Sequence, residues 1–166
     1  MLTAHVTTSV GWLGAVSVFL AFALVGLTHH HAPTVRGVYL VMEPSARFVL
    51  IPLSLASLVT GIVQSLGTPW GLVRHYWVVF KLLITVGATI ILVMYLETFA
   101  VMADVAADPR AELESVRNVS PLLHAALALM GLLVATILAV YKPRGITPYG
   151  RRVLEAARPV RAPSRR

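Results

Sequence analysis

The chain has 166 residues, of which 57% are hydrophobic and only 13% are charged, and its mean hydropathy is +0.79. Soluble domains carry about 25% charged residues, and one of this size still exposes about a third of its unfolded-chain surface, so the composition disfavours a water-soluble enzyme and a disordered chain. The lack of Cys excludes disulfides, thiolate metal sites and iron–sulfur clusters. An integral membrane protein remains.

Four apolar runs are long enough to cross a bilayer, which takes about 20 residues. They cover about 2–27, 48–66, 77–102 and 121–141. Continuous apolar runs indicate helices, because the strands of a transmembrane barrel alternate. We expect Pro52 to kink the second span, Ser120 to cap the fourth ahead of Pro121, and Pro143 to end it. The predicted fold is an all-α four-helix membrane bundle over residues 1–145.

Residues 146–166 form a basic tail, for which we expect a short surface helix from Pro148 through Arg158 and partial disorder. Eight of the fourteen Lys and Arg residues lie from Lys142 onward. Basic residues favour the cytoplasmic side, and ten lie on the side of the termini against four on the other. The sequence therefore predicts a multi-pass protein of the bacterial inner membrane with both termini cytoplasmic and the tail on anionic lipid, not nucleic acid.

Four ionisable residues interrupt the spans, and such residues usually face the bundle interior or an aqueous cavity. His5 and Lys81 each lie about one turn inside the cytoplasmic face. Glu97 follows Lys81 by 16 residues, or about 24 Å, which brings it near the outer face together with His124. The sequence thus predicts an inner centre of His5 and Lys81 and an outer centre of Glu97 and His124.

Simpler interpretations stand beside these. Lys81 can snorkel to the headgroups, His5 can lie at the interface, and Glu97 can meet water. The small residues that follow His124 on its helix face, Ala128 and Gly131, are typical of helix packing as well as of a slot for a flat cofactor.

Polar residues outside the spans receive structural interpretations. The three consecutive histidines at positions 29–31 are expected to lie in a solvated loop. Glu43 and Arg47 have the spacing of a local ion pair. Arg74 lies between Trp70 and Trp77, which is typical of an interfacial belt.

A haem is the cofactor that these residue types suggest, because neutral imidazole is a good ligand for haem iron and a membrane bundle offers a dry slot for a porphyrin. His5 is the leading axial-ligand candidate, Lys81 a second ligand or propionate partner, and Arg74 a further propionate partner. His124 is the alternative ligand, with Glu97 as a proton acceptor. His5 and His124 lie too far apart along the membrane normal to share one porphyrin.

Three short motifs carry a resemblance to a known group. His5 followed by Trp12 and Gly14 resembles the opening helix of the CopD and HemJ group of four-helix membrane proteins. Trp77 with Lys81 resembles the Trp…Lys helix of that group. The end of the chain is similar to that of HemJ-type protoporphyrinogen oxidases through Arg117-Asn118, Pro121 and Lys142-Pro143.

The likeness covers most of residues 2–145, and the whole chain most closely resembles an actinobacterial integral-membrane family of unknown function. The resemblance implies a haem b site at His5 and Lys81 and, for the HemJ type, a membrane-bound oxidase that removes electrons from protoporphyrinogen IX. The chain departs from the HemJ pattern at Val119, where that pattern has an acidic residue, and no further His follows Lys81 in its span.

The leading prediction is a b-type haem protein of membrane electron transfer or tetrapyrrole oxidation, that is, a membrane-bound haem oxidoreductase. One alternative is a non-enzymatic accessory or assembly subunit of a larger membrane complex. A second alternative is a small-solute or metal permease, which would have to be a homo-oligomer because four helices are few for a monomeric transporter.

Overall fold

The computed structural model describes residues 1–156, and these form helices joined by short connections. The helices are α1 (Leu2–Thr28), α2 (Ala32–Ser45), α3 (Ile51–Leu66), α4 (Tyr76–Ala107), α5 (Ser120–Tyr141) and α6 (Pro148–Ala156). A π-helical turn, Ala46–Leu50, joins α2 to α3, and a 3₁₀ turn, Leu113–Ser115, precedes α5. Residues 157–166, including the predicted end of the surface helix at Arg158 and the predicted tail disorder there, lie outside the described residues.

Four helical segments are long and apolar enough to cross a membrane, namely Leu2–Thr28, Ala32–Leu66, Tyr76–Ala107 and Ser120–Tyr141. This confirms the all-helical bundle with apolar helices of membrane length that the sequence predicts. The surface helix α6 begins at Pro148, also as predicted.

The second segment is longer than its apolar run, because the helix begins at Ala32 and not at Phe48. Polar residues such as Arg36 and Glu43 interrupt the hydropathy of this part. The helix forms nevertheless, because its buried side chains recur every three or four residues and pack against α4. These side chains are Val35, Tyr39, Met42 and Ala46.

At Pro52, where the sequence predicts a kink, the helix contains a π-helical turn just before the proline, in which the amide of Ile51 donates to the carbonyl of Ala46. Pro52 has no N–H to donate to Phe48, and its ring crowds that carbonyl in a regular helix. The wider turn lets the chain pass this point while Leu50 and Ser54 stay buried in the bundle.

A cap closes one end of the bundle, and we define it as α2, residues 99–107 of α4 and the connection 108–119. Its centre is Arg36, whose guanidinium donates to five backbone carbonyls at distances of 2.6–3.4 Å. These carbonyls belong to Val105, Ala106, Asp108, Pro109 and Ala111. Arg36 thereby satisfies carbonyls that the end of α4 leaves without helical partners.

The opposite end of the bundle carries α6, which is docked on the connection between α3 and α4. The Thr147 hydroxyl donates to the carbonyl of Val73 at 2.7 Å, and its backbone amide donates to that of Arg74 at 3.0 Å. Gly150 is required beside them, because a Cβ there would lie 2.4 Å from the carbonyl oxygen of Arg74. Lys142 ends α5 in the left-handed conformation at φ 45° and lies over the Trp70 ring.

Candidate functional site

The structure brings His5 and Lys81 to the walls of one small cavity, as their predicted depths require. The Thr60 hydroxyl donates to the carbonyl of Ala56 at 2.6 Å, so the 3.2 Å contact between His5 Nδ1 and Thr60 Oγ1 is a hydrogen bond that the imidazole donates. Gly61 allows the ring to lie against α3, because a Cβ there would be 3.0 Å from His5 Cε1.

This inner cavity has a volume of about 30 Å³, close to the volume that one water molecule occupies in the liquid. A porphyrin does not fit between His5 and Lys81 while the helices pack in this way. Arg74, the predicted propionate partner, lies in the connection between α3 and α4, where its guanidinium contacts the carbonyl of Pro69 at 3.5 Å. The structure therefore brings His5 and Lys81 together, while Arg74 does not line their cavity.

At the other polar centre, His124 contacts Tyr95, with 4.5 Å between the ring centroids. His124 Nδ1 lies 2.8 Å from the carbonyl oxygen of Ser120 on its own helix. Because a carbonyl oxygen only accepts, Nδ1 donates, and the lone pair of the neutral ring is on Nε2. The Tyr95 hydroxyl donates to Ser120 Oγ, which fixes the phenol beside the imidazole.

The role predicted for Ser120 is wrong in detail. Ser120 is the first residue of α5, and its hydroxyl contacts Tyr95 and His124 without capping the helix. The side chain of Asn118 accepts the hydrogen bond from the Ser120 amide at 2.9 Å. The N-cap position is Val119, which has no side-chain acceptor, because the helix begins one residue earlier than its apolar pattern suggests.

His124 and Tyr95 line an apolar groove of about 380 Å³ between α1, α4 and α5. Its length along α5 runs from Pro121 to Gly131. The other walls are mainly apolar side chains of α1 and α4, including Trp12, Val16, Phe19, Ile84, Leu92 and Phe99. At its opening, on the surface of the bundle, the groove is bordered by Leu83, Ile91 and Leu127, which are 61%, 49% and 60% exposed.

Glu97, the predicted partner of His124, is exposed and does not line the groove. Within residues 1–156 it makes no hydrogen bond to His124, whose ring is instead held by Tyr95 and Ser120. The two residues share a depth, as predicted, but Glu97 lies on another side of α4. The structure therefore does not bring the two residues of the predicted outer centre into contact.

The residues of the resemblance motifs lie in three different places. Trp12 is buried and lines the groove. Trp77 is buried at the opposite end beside Trp70, and its Nε1 has no hydrogen-bond partner among the described residues. Arg117 and Asn118 belong to the cap, where Arg117 donates to the carbonyl of His29 at 3.2 Å and lies 3.4 Å from a Glu114 oxygen.

Two structural interpretations agree with the coordinates. The histidines of 29–31 are exposed and lie in the connection between α1 and α2. Glu43 and Arg47 form the predicted ion pair at 2.6 Å.

A haem fits the groove only in part. His124 offers a nitrogen lone pair and the walls are apolar, but no charged side chain of residues 1–156 lines the groove to pair with the propionates. Tyr95 and Ser120 were not predicted as partners of His124, although a Tyr within an apolar run and one turn of helix between Ser120 and His124 were available as signals.

Comparison of the chain with models of protein families, with curated protein sequences and with solved structures gives no match. The resemblance to the CopD and HemJ group stays a prediction.

Proposed function

We propose that this protein binds a lipid-soluble ligand inside the bilayer, in the groove between α1, α4 and α5, with His124 as the polar contact. The observation that carries the proposal is the hydrogen bond from His124 Nδ1 to the Ser120 carbonyl, which leaves Nε2 of the neutral ring as an acceptor on a residue that lines an apolar groove. A few convergent polar groups in a largely apolar pocket are typical of small-molecule sites, whose volumes run from about 300 to 1,000 Å³.

The ligand reaches this site from the lipid. The exposed side chains that border the groove are apolar, whereas the cap and its polar connection lie over the end where α5 begins. An apolar ligand that enters from the bilayer therefore meets no charged barrier. A water-soluble ligand would have to pass the cap and its polar connection.

The test is the identity of what co-purifies with the protein in a mild detergent. A visible spectrum detects haem, and mass spectrometry of an organic extract detects bound lipids. We expect a bound molecule in stoichiometric amount that His124→Ala releases and the matched variant His5→Ala retains. If haem binds and is lost in His5→Ala but kept in His124→Ala, the site is the one implied by the resemblance and the groove proposal fails.

We also propose that both termini lie in the cytoplasm and that the protein resides in a bacterial inner membrane. Ten basic residues on the side of the termini against four on the other support this orientation. Arg151 and Arg152 on α6, with the remaining basic residues of the C-terminal segment, are suited to anionic headgroups on that side.

A further inference from the structure

The groove is long enough to take a hydrocarbon chain. Its wall on α5 extends from Pro121 to Gly131, which is about 15 Å along the helix. Its volume of about 380 Å³ lies in the range of small-molecule sites, and its almost wholly apolar walls suit a hydrocarbon chain.

The polar end of the groove defines the head of its ligand. His124 lies near the end where α5 begins, one turn after Pro121, so a head bound there leaves its chain to run toward Gly131 and Ile84. Nε2 of the neutral imidazole accepts a hydrogen bond and cannot donate one. No charged side chain among the described residues lines the groove, so a charged head would be buried without a counter-ion.

Resting on the proposed function, we infer that the ligand class is an uncharged lipid with a hydroxyl head on a single hydrocarbon chain, such as a hydroquinone or a long-chain alcohol. Its hydroxyl donates to His124 Nε2, the Tyr95 ring packs beside the head, and the chain fills the groove. An ester or ether head without a donor leaves the imidazole acceptor unpaired.

Gly87 offers a way to block the chain without disturbing the helices. Gly87 lines the groove, and a Cβ built there meets no atom within 4 Å. A leucine at this position therefore extends into the space that the chain would fill. Gly14 is the matched control, since a Cβ there also meets no atom within 4 Å and the residue is exposed on α1 away from the groove.

The experiment measures the binding of three probes to the purified protein in phosphatidylcholine nanodiscs, with empty nanodiscs as the blank. The probes are decyl hydroquinone, its dimethyl ether and dodecanol. For the wild type we expect the ether to bind about tenfold more weakly than the hydroquinone, because it leaves a buried acceptor unpaired. Preference between the hydroquinone and dodecanol assigns the natural ligand to quinols or to lipid alcohols.

Two variants separate the head from the chain. In His124→Ala the hydroquinone should fall to the affinity of the ether, whose own binding stays unchanged. Gly87→Leu should abolish binding of all three probes, whereas Gly14→Leu retains it. Equal binding of ether and hydroquinone to the wild type overturns the hydroxyl head but leaves the groove proposal intact if Gly87→Leu still abolishes both. Binding that Gly87→Leu does not change overturns the groove itself.

Discussion

Arg36 shows how one side chain can organise a whole end of this bundle. Its guanidinium donates to carbonyls on both sides of the end of α4, the closest at 2.6 Å from Asp108 and 2.7 Å from Ala111. We expect Arg36→Gln to lower the free energy of unfolding by about 3 kcal/mol, since hydrogen bonds from a charged donor to half-buried carbonyls are lost together. Thermal unfolding in detergent measures the change.

Arg47→Gln is the control for that substitution. Arg47 also makes a short contact, at 2.6 Å to Glu43, but the pair is local to one helix and half of the Arg47 side chain is exposed. An effect within about 0.5 kcal/mol is expected. Equal losses in the two variants would show that Arg36 contributes no more than a surface charge.

At the same scale, residue depth was predictable and residue direction was not. Counting 1.5 Å per residue correctly placed His5 with Lys81 at one cavity. The same count placed Glu97 with His124, but Glu97 is exposed and Tyr95, two residues earlier, takes its place. Two residues along a helix point in directions about 200° apart, and which of them faces α5 depends on packing that hydropathy does not encode.

Among the elements, the π-helical turn Ala46–Leu50 makes the long second segment unusual. A π-helical turn holds about one residue more than an α-helical turn, so removing one residue converts it to a regular helix with little rotation of α3 against α2. We expect deletion of the exposed Val49 to keep the register of α3 and a monodisperse protein, but to lower the unfolding temperature, because Pro52 then lies inside a regular helix.

Deletion of Val59 gives the comparison. Val59 is also an exposed valine, but it lies in regular helix, and its removal rotates the following residues by about 100°. Thr60, the partner of His5, would turn away from α1, so this variant should fold poorly. Equal tolerance of both deletions would contradict the role given to the turn.

The element boundaries of α1 and α5 were predicted closely, because continuous apolar runs mark them. The start of α2 was missed by 16 residues, since residues 32–47 bury only one face and keep charged residues on the other. That segment is helical because its buried face packs against α4, which lies far along the chain. Local hydropathy contains no record of such a contact.

For the whole molecule, the orientation is open to a direct test because the chain has no Cys. We expect a membrane-impermeant maleimide to label Glu112→Cys, in the cap connection, on intact cells. Arg152→Cys, on α6, should react only after permeabilisation. The bias of basic residues toward the side of α6 is the physical reason. The reverse labelling pattern would place the termini outside and contradict the proposal.

The sequence was sufficient to predict a helical membrane bundle, but it was not sufficient to predict the cap. α4 continues for about 18 Å beyond Tyr95, whereas α5 begins only about 6 Å before His124. The ends of α4 and α5 are therefore staggered, and Arg36 binds the carbonyls at the protruding end of α4. Four apolar runs predict how many helices there are but not how far each extends past its neighbour.

The side opening of the groove, bordered by Leu83, Ile91 and Leu127, changes how its occupancy has to be expressed. A ligand that enters from the bilayer is in equilibrium with its mole fraction in the lipid and not with its concentration in water. Overexpression would then dilute the ligand among more sites in the same membrane area. Fractional occupancy should fall as the protein-to-lipid ratio rises, even while the aqueous composition of the cell stays constant.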